Sequence, residues 1–127
     1  MKIKSITVDD EPLALKMISA FVKQTPFLEL AAQFDNAIEA LHYLQSQKID
    51  LVLLDIQMAD LTGMELARIL SAETSKDKPF IIFTTAYSEF ALEGYGVNAV
   101  DYLLKPFDYK DFLPAATKVM NRLEVGA

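Results

Sequence analysis

The run Leu51-Val52-Leu53-Leu54 is apolar at every position and ends on a charge, Asp55. A strand with one wet face alternates apolar and polar side chains, so a run without a polar member must be covered on both faces. Sheets covered on both faces are built from parallel strands joined by helical crossovers. The rest of the chain supplies the matching pieces. Strand-type segments at Ile3–Val8, Leu28–Gln33, Leu51–Leu54, Phe80–Thr84 and Val100–Leu104 alternate with helical patterns, which predicts an α/β domain with a mostly parallel sheet between two helical layers.

The helices carry their own start and stop signals. Pro12–Gln24 reads as a helix with Leu13, Met17, Ala20 and Phe21 on one face, and Pro12 suits its first turn. Asn36 and Glu39 form a capping box for a second helix carrying Ile38, Leu41 and Leu44 or Gln45. Thr62-Gly63-Met64-Glu65 opens a third, with Leu66, Ile69 and Leu70 as its apolar face. Ser88 can cap a short fourth helix that stops around Gly94 or Gly96. A last helix runs from about Asp108 to Leu123, with Phe112, Ala116, Val119 and Leu123 facing inward. Pro114 would break its interior, so a late start near Asp111 is expected.

Composition narrows the function classes. At 127 residues, 52% of them apolar, the chain fits one domain with an adequate core. Cysteine is absent, which excludes disulfides and thiolate metal sites. A net charge of −6 with scattered lysines argues against nucleic-acid contact by this domain. No apolar stretch approaches a membrane span and Met1–Lys4 leads directly into a strand, so a cytoplasmic location is expected.

Parallel sheets of this kind bind ligands outside the carboxyl ends of their strands. Asp9 and Asp10 follow the first strand, Asp55 the third, Thr85 the fourth and Lys105 the fifth. Carboxylates converging with an ammonium are the inventory of a Mg2+-assisted phosphoryl site. Taken singly, most of these residues have plainer readings. Asp-Asp-Glu before a helix is ordinarily a capping cluster, a role Glu11 keeps, and a lone threonine after a strand is ordinarily a cap. Asp55 is the exception, because a carboxylate ending an all-apolar strand is costly without a purpose. Two carboxylates ~4 Å apart repel by ~4 kcal/mol at an effective dielectric of ~20. Such a cluster calls for a divalent cation.

Val8-Asp9-Asp10-Glu11-Pro12, Leu53-Leu54-Asp55-Ile56-Gln57-Met58, Phe83-Thr84-Thr85-Ala86 and Asp101-Tyr102-Leu103-Leu104-Lys105-Pro106-Phe107 stand in the order and spacing of one family. Over essentially all of residues 1–127 the chain resembles the receiver domain of bacterial two-component response regulators. The stretch Ala86–Phe107 resembles the subgroup fused to LytTR-type DNA-binding domains, and no such effector follows within this chain. The resemblance implies a doubly wound (βα)5 flavodoxin-like three-layer sandwich with strand order 2-1-3-4-5. It implies that Asp55 accepts a phosphoryl group from a sensor histidine kinase, with Lys105 pairing first with Asp55 and then with a phosphoryl oxygen. Thr85, rather than Thr84, would donate its hydroxyl to that group. Mg2+ would be held by Asp10, Asp55 and the Gln57 backbone carbonyl, with Asp9 acting largely through water.

Further roles follow from the same resemblance. Thr85 and Tyr102 would form the switch, and Gln57 and Tyr87 would tune hydrolysis. The Lys105–Pro106 bond would be cis. Phosphorylation would favour a homodimer through the fourth helix, fifth strand and fifth helix, with Asp101, Lys118 and Arg122 as candidates for pairs across it. One departure stands out: the family commonly has proline where this chain has Ala59, which removes a rigid loop residue but no chemical group of the site.

Alternative readings differ in testable chemistry. A stand-alone receiver relay would use the same site without a DNA-binding output. A haloacid-dehalogenase-type phosphatase would need an acid at the second residue after Asp55, where Gln57 cannot protonate a leaving group. A signalling domain rather than a turnover enzyme is therefore expected. His42, the single histidine, can form no metal cluster by itself.

Overall fold

The computed structural model describes residues 2–58, 62–72, 78–86 and 99–126. Along the chain these form β1 (Ile3–Val8), α1 (Pro12–Gln24), β2 (Leu28–Phe34), α2 (Ala37–Ser46), β3 (Leu51–Asp55), α3 (Gly63–Ala72), β4 (Phe80–Thr85), β5 (Ala99–Leu104) and α4 (Tyr109–Gly126). The five strands make one sheet in the order β2-β1-β3-β4-β5, and every pairing is parallel. This is the expected doubly wound architecture, with four helices among the described residues. The expected fourth helix of the sequence pattern, its cap Ser88 and its stop near Gly94 or Gly96 lie outside the described residues, as do Ala59 and Tyr87. Helix α4 is accordingly the fifth of that pattern.

Strand pleating splits the core in two. Ile6, Val8, Val52, Leu54, Ile81 and Phe83 point to one face and pack with Ala37 and Ala40 of α2 and Leu66, Ala67 and Leu70 of α3. Leu51, Leu53, Ile82 and Leu103 point to the other, against Ile18 and Val22 of α1 and Phe112, Ala116 and Val119 of α4. All of β3 is buried, as its composition required.

Several helix faces differ from the expected ones. In α1 the buried stripe is Ile18, Ser19 and Val22, flanked by Met17 and Phe21, while Leu13 is 77% exposed. Ser19 is tolerated inside because its hydroxyl meets that of Thr7 at 2.8 Å and donates to Gln33 Oε1 at 3.0 Å. In α2 the small residues Ala37 and Ala40 face the sheet and Ile38 is exposed; in α3 Ile69 is exposed as well. A periodic pattern locates a stripe only to within one position.

The last helix does not start late. It begins at Tyr109 and contains Pro114. The Asp108 carboxylate accepts from the backbone N–H of Lys110 at 3.0 Å and of Asp111 at 3.3 Å, and Asp111 accepts from the Asp108 N–H at 3.0 Å. This reciprocal cap secures the first turn ahead of the proline, which removes one backbone hydrogen bond and crowds the turn before it. Behind that turn, Phe21 of α1 packs on Phe107, Tyr109 and Phe112 with ring centroids 6.2, 5.7 and 5.8 Å away. The Tyr109 hydroxyl also meets that of Thr25 at 3.0 Å.

Candidate functional site

Register alone brings the acids together. Val8 of β1 is level with Leu54 of β3, and Asp55 is level with Thr84 of β4. The residues that follow Val8 and Leu54 therefore leave the sheet side by side. Backbone bonds continue the ladder past the strand ends: Asp9 N–H donates to the Phe34 carbonyl (3.1 Å), Ile56 N–H to that of Thr84 (3.0 Å) and Lys105 N–H to that of Thr85 (2.7 Å). These bonds anchor the functional residues on a rigid edge.

One carboxylate oxygen from each of Asp9, Asp10 and Asp55 lies within 4.8 Å of the others, and Asp10 is the exposed member. Hard oxygen donors at this spacing suit Mg2+, which prefers carboxylates and retains waters. Asp9 is already engaged at both oxygens. Its Oδ1 accepts from the Glu11 N–H at 2.9 Å, and its Oδ2 accepts from the Lys105 ammonium at 2.8 Å. Asp55 Oδ1 accepts from the Gln57 N–H at 3.3 Å and stands 3.7 Å from Lys105 Nζ. The expected Lys105–Asp55 pair is thus present only as the longer contact, and the direct hydrogen bond goes to Asp9. Asp9, the more deeply covered carboxylate next to the lysine, takes the shorter bond. The Lys105–Pro106 peptide bond is cis.

Electrostatics mark Asp55. Burial, followed by repulsion from Asp9, raises its pKa to about 7, with Asp10 adding to the rise and Lys105 and the Gln57 N–H opposing it. For Lys105, burial pulls its pKa down, but the Asp9 hydrogen bond and the charges of Asp55, Asp9 and Glu11 outweigh this and raise it. The lysine stays a cation.

Thr85 and Thr84 are both buried. Pleating puts Thr84 on the sheet face of Asp55, whereas Thr85 shares the face of Phe83, on which the Tyr102 ring stacks at 5.4 Å. Burial raises the Tyr102 phenol. Asp101 and Lys118, expected as candidates for pairing across a dimer, bond each other within the chain at 2.9 Å and so tie β5 to α4.

Sequence reasoning missed one contact. Gly63, treated there only as part of a capping box, lies where α3 touches the backbone of Asp55. A glycine at the first helical position after the acidic strand end was the available signal.

Comparison with known proteins places the chain in a family. The profile of the Response regulator receiver domain matches residues 6–117. The chain belongs to the response-regulator receiver family. It is 43% identical over 118 residues to the sensory transduction protein LytT of Enterococcus faecalis, covering 93% of this chain and 48% of that protein. It is 37% identical over 106 residues to the transcriptional regulatory protein BtsR of Escherichia coli K12, covering 84% of this chain and 43% of that one. The crystal structure of the response regulatory domain of mrkE from Klebsiella pneumoniae superposes with a TM-score of 0.86 at 34% identity, covering 96% of this chain and 98% of that one. This receiver spans about half the length of the curated relatives it matches. No helix among the described residues is long and apolar enough to cross a membrane.

Proposed function

We propose that this receiver is a phosphoryl-accepting switch in two-component signalling, with Asp55 as acceptor and Mg2+ as cofactor. The observation that carries the reading is the meeting of Asp9, Asp10 and Asp55 within 4.8 Å, with the Lys105 ammonium set against Asp9 and Asp55. In the transfer, an Asp55 carboxylate oxygen forms a bond to phosphorus while the P–N bond of a phosphohistidine on a sensor kinase breaks. The bonding pair stays on the imidazole nitrogen, which takes up a proton.

Bound Mg2+ supplies charge neutralisation and orientation for the phosphoryl oxygens. Asp10, Asp55 and the Gln57 carbonyl would hold it directly. Asp9, with both oxygens already committed, would serve through water. Lys105 offers its ammonium and Thr85 its hydroxyl to the phosphoryl oxygens. Movement of Thr85 is felt by Tyr102, since both belong to the Phe83 face of the sheet. The output is a shift of population at the surface of β5, α4 and the helix expected between β4 and β5, which pairs two copies. Gln57 and Tyr87 would tune how fast water removes the acyl phosphate.

In the whole protein, the similarity to LytT and BtsR supports a LytTR-type DNA-binding output joined to this domain, a cytoplasmic location and control of transcription. The receiver itself, at net charge −6, leaves DNA contact to that output. It acts as a signalling domain that assists its own phosphorylation and dephosphorylation, not as a turnover enzyme. Beryllofluoride, an acyl-phosphate mimic, tests the reading: with Mg2+ it should shift the Tyr102 environment and convert the domain to a dimer. An unchanged spectrum and an unchanged mass in solution would refute it.

A further inference from the structure

We propose that Gly63 is a positioning residue for the acceptor. The first turn of α3 presses on the Asp55–Ile56 backbone because this residue has no side chain, and that contact fixes where the Asp55 carboxylate and the Gln57 carbonyl stand. The inference rests on the reading of Asp55 as phosphoacceptor and deepens it.

A Cβ placed on Gly63 would overlap the Asp55 carbonyl oxygen and would lie 2.8 Å from the Asp55 carbonyl carbon and 2.9 Å from Ile56 Cα. All three are backbone atoms, so no side-chain rotation relieves the clash. The Gly63 N–H also donates to the Ile56 carbonyl at 2.9 Å. Helix and strand exit are therefore joined by one close backbone contact and one hydrogen bond, at the two successive carbonyls, Asp55 and Ile56, that lead into Gln57. The helix start is itself held in place: the Glu65 N–H donates to Thr62 Oγ1 and the Thr62 N–H to Glu65 Oε1, each at 3.1 Å. Met64, Leu66, Ala67 and Leu70 bury the same helix against the sheet.

A methyl group at position 63 cannot be absorbed by the helix alone, because its buried face resists lifting. Part of the displacement must fall on Asp55–Gln57, the stretch that carries the acceptor and a proposed metal ligand. Residues that hold ligands in place typically affect metal affinity by about 10–100-fold.

The test measures Mg2+ affinity by titration calorimetry and stability by urea unfolding, on the parent and three variants. Gly63→Ala should weaken Mg2+ binding by at least about tenfold. Val119→Ala, a core truncation in α4 on the opposite sheet face, should lose stability yet bind Mg2+ as the parent does. Thr62→Ala loosens the same helix start without a clash and should weaken binding several-fold, which keeps the test decisive if Gly63→Ala does not fold. Parent-like Mg2+ affinity in Gly63→Ala, or in Thr62→Ala where the glycine variant is unfolded, would overturn the proposal. A parent that takes up no Mg2+ would overturn the functional reading itself, and this proposal with it.

Discussion

The Lys105 ammonium lies 2.8 Å from Asp9 and 3.7 Å from Asp55. It thus makes its hydrogen bond with the acid that holds the Glu11 N–H, and leaves Asp55 the looser contact. The same cation restrains one carboxylate firmly and remains within reach of the other.

Removing that cation strands the acids. Lys105→Met should destabilise the Mg2+-free protein by roughly 3 kcal/mol, since truncating one partner leaves a covered carboxylate uncompensated. Urea unfolding in chelator measures this. Phosphorylation by acetyl phosphate should slow in the same variant, because a phosphoryl oxygen loses its cationic partner.

Asp55 titrates in the neutral range, and the sign follows from the raised pKa. The folded state keeps the proton up to about 7 while the unfolded chain releases it near 3.8. This group's contribution to stability is full below the lower value and is lost as pH rises through the upper one. At about pH 8 and without Mg2+, Asp55→Asn should therefore be more stable than the parent by roughly 2 kcal/mol, the gap closing as the medium is acidified. Because Mg2+ must displace this proton, its apparent affinity should climb as pH rises through the neutral range. Calorimetry in buffers of different ionisation enthalpy would count the protons released.

The Tyr102 ring stacks on Phe83, two positions before Thr85 on the same strand face. Tyr102→Leu should still accept phosphate on Asp55 but lose most of the dimerisation induced by Mg2+ and beryllofluoride. Sedimentation analysis separates the two effects.

Hydrolysis offers a further check at a position read from sequence alone. Tyr87→Ala should lose its phosphoryl group faster than the parent, as its bulk no longer screens the acyl phosphate from water. Loss at the parental rate would reject that role.

Most of the site was legible in the sequence because strand ends are marked by composition. Leu51–Leu54 declared a central buried strand, and the charges that follow it, Val8 and Leu104 had to emerge on one sheet edge. What escaped was decided by three-dimensional fit. Leu13 is exposed and Ser19 buried, although periodicity favoured the leucine, because the hydroxyl found Thr7 and Gln33 inside. Pro114 argued for a late helix start until the Asp108–Asp111 cap secured the turn before it. The preference of Lys105 for Asp9 depends on a difference of under an ångström between two contacts, which spacing along a chain does not encode. The close approach at Gly63 was hidden for the same reason.

The most direct test of the central claim is the intact mass after incubation with acetyl phosphate, with the modified residue located by fragmentation. The account predicts a gain of one phosphoryl group on Asp55 in the presence of Mg2+, abolished by chelation and absent in Asp55→Asn. A gain that survives chelation, that maps to another residue, or that never occurs would contradict it.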